Sequence, residues 1–178
     1  MMRKAAILLS VIFLASCEIN SGPTGPQGPQ GPPGPAGPVG QGFEVEANFN
    51  QSNGYQQIFT FPNNVEVLST DIVMVYLLWE VDQQTGYDVW QPLPVSVFFN
   101  DGEMQYAFDH TLADLKLFLT GDTDISTVGP EFTQGQIFRI AVLPVDYVQS
   151  KNINLQDVEE VMQAIDVSNI KRLEIGDH

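Results

Sequence analysis

The only thiol of the chain, Cys17, follows Leu14-Ala15-Ser16 at the end of an apolar stretch that begins at Ala5. A lone thiol can act as a nucleophile or carry an acyl group. It cannot form an internal disulfide, build a cysteine-based metal cluster or run a dithiol redox cycle. Other side chains with chemistry are sparse. His110 beside Asp109 could serve as a general base, yet no serine or cysteine motif accompanies it, so it reads as a surface residue at a strand end. Asp122-Thr123-Asp124 after Gly121 could seed a calcium loop, but the glycine and glutamate spacing of an EF-hand is absent and a solvated acidic turn is the simpler reading. A flavin or nicotinamide enzyme would need GxGxxG between a strand and a helix. Here the glycines alternate with prolines, which lack the amide donors a pyrophosphate requires. No catalytic group, metal or cofactor is therefore expected. Trp79, Tyr87 and Trp90 surround a single hairpin and could stack on a sugar or peptide, or be ordinary sheet aromatics.

The element that positions Cys17 is the N-terminal segment MMRKAAILLSVIFLASC. It has a short basic start, Arg3 and Lys4, then an apolar run from Ala5 to Ala15 broken only by Ser10. That run is too short to span a bilayer as a helix and fits the apolar region of a secretory signal. Leu14, Ala15, Ser16 and Cys17 resemble the lipobox of bacterial lipoproteins. The resemblance implies that residues 1–16 are a cleaved signal peptide, that Cys17 is the lipidated new N-terminus, and that residues 17–21 form a linker. A thiol can accept a thioether-linked diacylglycerol, and small flanking residues fit a narrow intramembrane protease. Each buried methylene contributes about 0.8 kcal/mol, so two or three acyl chains hold a protein firmly to a membrane.

Residues 22–42 form a collagen-like repeat. Glycine recurs at every third position, Gly22, Gly25, Gly28, Gly31, Gly34, Gly37 and Gly40, and proline follows each of the first six. Only glycine fits the axis of a triple helix, and proline in the next position pre-orders polyproline II. The third positions carry no charge, so no interchain ion pairs set a register. Two arrangements remain open: three chains wound into a short stalk, or one chain serving as a stiff spacer. Either spans roughly 55 Å at about 3.1 Å per residue. Six triplets are marginal alone, and a trimeric head would raise their effective concentration.

Residues 43–178 read as one domain with enough apolar sequence for a core, since 43% of the chain is hydrophobic and 10% aromatic. Charge is lopsided, with 22 acidic and 7 basic residues. Such a surface repels phosphate backbones and excludes nucleic-acid binding or direct docking on anionic lipid. Period-two alternation predicts strands over Phe43–Phe49, Gln57–Phe61, Met104–Phe108, Leu115–Leu119 and Gln136–Val142. The most apolar run, Asp71–Val81, predicts a central strand. Tyr87–Asn100 predicts a strand with Pro92 and Pro94 confined to an edge or bulge, and Asp101-Gly102 predicts a hairpin turn. One late helix is predicted, with Asn154 as N-cap and Leu155, Val158, Val161, Met162 and Ile165 along one face. A last strand is predicted within Asn169–Ile175. The fold class expected is mainly β, an antiparallel sandwich or open sheet with one late helix.

The lipobox, the Gly-Pro triplets and the β-rich tail (VYLLWE, DVWQPLP, FRIAVLPVDY) together resemble collagen-like lipoproteins of Bacteroidetes-type bacteria. The resemblance implies a cell-envelope location, outer membrane or cell surface over inner membrane, and a structural or adhesive role with a homotrimer as the assembly. The alternative is a carbohydrate- or peptide-binding lipoprotein that uses the repeat only as a spacer.

Overall fold

The computed structural model describes residues 40–165 and 170–173. The expected signal peptide, Cys17 and the repeat glycines from Gly22 to Gly37 lie outside the described residues, as do His178 and much of the predicted last strand. The strands are β1 (Gln41–Ala47), β2 (Gln56–Thr60), β3 (Asp71–Val81), β4 (Asp88–Pro92), β5 (Val95–Phe99), β6 (Gly102–His110), β7 (Asp114–Gly121), β8 (Gln136–Pro144) and β9 (Arg172–Leu173). Three short helices accompany them: α1 (Pro130–Thr133), α2 (Val145–Lys151) and α3 (Val158–Ala164).

The fold is mainly β and contains two sheets, ordered β4-β3-β8-β1-β9 and β2-β7-β6-β5. Every pairing is antiparallel except that β9 runs parallel to β1. Alternation explains how the sheets meet. Phe43 and Val45 of β1, Val75 and Leu77 of β3, and Phe138 and Ile140 of β8 share one core with Met104 and Tyr106 of β6 and Leu115 and Leu117 of β7. Phe49, Tyr106 and Phe138 meet there edge to face, with centroids 6.2 to 6.3 Å apart. That geometry suits the positive ring edge against the negative ring face. β3 and β8 are almost continuously apolar because both of their faces are covered. The alternate residues Tyr76, Ala141 and Leu143 form a second core with Val148 of α2 and Val161 and Ala164 of α3.

Two expectations need correction. The stretch predicted as a single strand over Tyr87–Asn100 is divided: β4 lies at the edge of the five-stranded sheet and β5 at the edge of the four-stranded one. Leu93 and Pro94 carry the chain from one sheet to the other, so the prolines mark a corner as well as an edge. The one late helix is α3, but α1 and α2 precede it. Its N-cap is Asp157, whose carboxylate accepts from the amides of Glu159 and Glu160. Asn154 is occupied one turn earlier, accepting from the amide of Gln156 through its side chain and from that of Asp157 through its carbonyl.

Candidate functional site

The strand registers align four residues in a single row across the helix-covered face of the five-stranded sheet. Tyr76 on β3 lies opposite Arg139 on β8, Arg139 opposite Glu44 on β1, and Glu44 opposite Arg172 on β9. Glu44 Oε1 accepts from Arg139 Nε at 3.0 Å and Nη2 at 2.7 Å. Its Oε2 accepts from Arg172 Nε at 3.3 Å and Nη2 at 3.0 Å. The Arg139 guanidinium also lies 4.0 Å from the ring centre of Trp90 on β4, and its Nη1 is 3.5 Å from Met162 Sδ on α3. A carboxylate gripped by two bidentate guanidiniums has no lone pair left for proton transfer. Each guanidinium directs its Nε and Nη2 donors at Glu44. The row therefore acts as a fastener that ties β9, α3 and the β4 edge to the sheet.

Beside Arg139, Tyr76 is fully buried and its hydroxyl has no hydrogen-bond partner among the described residues. Burial pushes its pKa up to about 12, which keeps the phenol neutral. Tyr106 differs: its hydroxyl donates to the Phe132 carbonyl at 2.6 Å, and burial raises its pKa further.

The three hairpin aromatics are parted. Trp90 stacks on Arg139. Trp79 sits at a register shift between Leu78 and Glu80, where a bulge turns it outward, and is 40% exposed. Tyr87 precedes β4 at the end of the turn and is 75% exposed. The turn between β3 and β4 is closed by Asp82, whose carboxylate accepts from the amides of Gln84 at 2.7 Å and Thr85 at 3.0 Å. The Thr85 and Gln84 amides hold that carboxyl below the usual range.

Acidic side chains elsewhere serve the turns. Asp101 accepts from the Thr123 hydroxyl at 2.8 Å, which holds its carboxyl below the usual range. Asp122 accepts from the Glu103 amide, and Asp124 caps the 3-10 turn Ile125–Thr127. No group of three or more His, Cys, Asp or Glu side chains is arranged to hold a metal ion among the described residues. Asp109 pairs with Lys116 at 2.7 Å, and the Nδ1 of exposed His110 lies 3.0 Å from the Thr111 carbonyl oxygen.

The repeat meets the head at Gly40. Gly40 is buried, its amide donates to the Ala164 carbonyl at 3.1 Å, and it forms a parallel bridge with Ile165. A Cβ here would lie 2.4 Å from Leu143 Cδ2 and 2.8 Å from the Ala164 oxygen. Two residues on, within β1, a Cβ on Gly42 would lie 2.9 Å from Ile165 Cδ1. The glycine that closes the triplet phase is thus also required by the packing of the head. Gln41 and Gly42, grouped with the repeat on sequence, belong to β1. Near this point an open groove of about 510 Å³ runs between α2 and α3, lined by Tyr147, Lys151, Ile153 and Glu160.

Sequence reasoning missed Glu44, Arg139 and Arg172. The available signal was Arg139, the single charge in the apolar run from Gln136 to Pro144. Compared with protein-family models, with curated proteins and with solved structures, the chain matches none. No helix among the described residues is long and apolar enough to cross a membrane.

Proposed function

We propose that the protein is a lipid-anchored component of a bacterial cell envelope, in which a collagen-like stalk after Cys17 holds up a sandwich-type β head with a structural or adhesive role. The observation that carries this is the unbroken glycine phase from Gly22 to Gly40, with proline after each of the first six glycines, immediately behind a cysteine in a lipobox-like setting. A simple spacer has no need of strict glycine phase, whereas a triple helix tolerates nothing else at its axis. The role is one of assembly and contact and not of catalysis. The clamped state of Glu44 and the engagement of the turn aspartates in backbone capping support that view.

A second reading, carbohydrate or peptide binding, draws support from the exposure of Trp79 and Tyr87 around one hairpin. One set of measurements tests the anchor and the stalk. Cys17→Ser should abolish acyl labelling and leave the precursor uncleaved or mislocalised, because the lipid transfer needs the thiol. Gly31→Ala should remove a cooperative low-temperature circular dichroism transition and reduce the mass from trimer to monomer, because a methyl group has no room on the triple-helix axis. Unchanged labelling refutes the anchor, and an unchanged mass refutes the trimeric stalk.

A further inference from the structure

The four-stranded sheet ends in a strand that lacks the usual guards. Free sheet edges in monomers are blunted by a lysine, an internal proline, a bulge or extreme shortness, because a row of unpaired amides and carbonyls templates another strand. β5, Val-Ser-Val-Phe-Phe, has none of these. It pairs with β6 without a register shift from Val95 opposite Tyr106 to Phe99 opposite Gly102. Among the described residues, no backbone hydrogen bond reaches Val95–Phe99 from any other element. The other edges are guarded or polar. β4 carries Asp88, Pro92 and a bulge against β3, β9 has two residues, and β2 exposes Ile58 between the polar side chains of Gln56 and Thr60. β5 lies within a run from Val89 to Asn100 that contains no charged residue, in a chain of net charge −15. Its Phe98 is 77% exposed, the highest value among the large hydrophobic side chains described.

The geometry points to β5 as a self-association edge whose occupant is the β5 strand of a second copy of this chain, paired antiparallel about a two-fold axis through Val97. Charge selects both the partner and the direction. An acidic surface repels its own copy least where carboxylates are few: β5 itself carries none, and Glu103, opposite Phe98 on β6, is engaged by the Ser96 hydroxyl. In the antiparallel arrangement the two Asp101 turns lie at opposite ends, roughly 27 Å apart at 3.4 Å per residue. That is well beyond a Debye length of about 8 Å. A parallel arrangement would set those turns side by side. With Val97 on the axis, Phe98 faces Ser96 of the partner subunit, and the two exposed phenylalanines become diagonal neighbours, a separation that aromatic rings can bridge. The result is a continuous eight-stranded sheet across two heads.

β2 and β5 are the two edges of the four-stranded sheet. β2 lies beneath β1, since Phe61, next after β2, meets Phe43 with ring centres 5.9 Å apart. β5 is at the far edge of the sheet from that contact. The biological meaning of the contact, adhesion between stalked heads, rests on the interaction role proposed above; the pairing itself does not.

The test is sedimentation of the mature protein in detergent over a range of concentration, with Phe98→Lys and, as a milder change, Phe98→Thr. Circular dichroism melts verify that each variant is folded. The wild type should double the mass of whatever unit the stalk sets, so that trimers give hexamers and monomers give dimers. Phe98→Lys should weaken that doubling at least tenfold, and Phe98→Thr should weaken it less. No doubling in the wild type, or equal doubling in both folded variants, overturns the β5 contact. The trimeric stalk is judged separately by Gly31→Ala, which should change the unit that doubles and leave the doubling intact.

Discussion

Replacing Glu44 by glutamine should destabilise the head by about 3 kcal/mol. The change removes the carboxylate that pairs with Arg139, a side chain 16% exposed that contacts Trp90 and Met162. Breaking a buried pair by deleting one partner costs about 3–5 kcal/mol, because the surviving charge stays desolvated. Glutamine keeps one acceptor oxygen, which places the loss at the low end. Arg172 adds little, since its side chain is 43% exposed and can return to water. For a head of this size, 3 kcal/mol corresponds to a fall in Tm of roughly 10 °C. Urea unfolding followed by circular dichroism measures the loss, and tryptophan fluorescence reports the release of Trp90. The double variant Glu44→Leu with Arg139→Met removes both charges and should recover most of the stability, because a buried pair seldom outperforms apolar residues of similar volume. A loss below about 0.5 kcal/mol in Glu44→Gln would refute the view that this row fastens β9 and α3 to the sheet. So would a double variant less stable than the single one.

Two further tests separate causes that look alike on sequence. Gly40→Ala should cost the head about 1–3 kcal/mol by overpacking against Leu143 and Ala164, whereas Gly37→Ala should leave the head's melting unchanged; equal effects on the head would place the fold boundary elsewhere. Tyr76→Phe removes a buried hydroxyl without a partner and should leave stability unchanged or raise it by up to about 1 kcal/mol. Tyr106→Phe breaks the bond to the Phe132 carbonyl and should lose about 1–2 kcal/mol. Thermal unfolding of both tyrosine variants shows whether the sign differs as expected.

What the sequence made legible follows the physics of each element. β3 was readable to its ends because Asp71–Val81 is long and apolar on both faces, and the Asp101-Gly102 hairpin carries its own turn chemistry. The division between β4 and β5 was not readable, because Pro92 and Pro94 mark an edge, a bulge and a corner equally well. α1 and α2 were missed for want of periodicity. They have four and seven residues, and each buries a single side chain, Thr133 and Val148 respectively. Such short helices form through tertiary packing and not through their own propensity. The Glu44 row escaped for a different reason: its partners are 95 and 128 residues apart in the chain. Only the β1–β8 and β1–β9 registers bring them together, and no local pattern encodes a register.

Gly40 shows how one residue can satisfy two demands that sequence reasoning assigns to one. The triplet phase asks for glycine there, and so does the slot between Leu143 and the C-terminal end of α3. An abrupt junction follows from that coincidence. With Gly40 bonded to Ala164 and β1 beginning at Gln41, no flexible linker intervenes between the last repeat glycine and the sheet. If the repeat winds with two sister chains, the three β1 strands are delivered close together and in step, so the stalk constrains how the heads can be arranged. The strand that receives the repeat, β1, is itself held by its register with β8 and by the Glu44 row. Under that condition a pull on the repeat would reach β1 first, the strand that the buried ion row ties to β8 and β9.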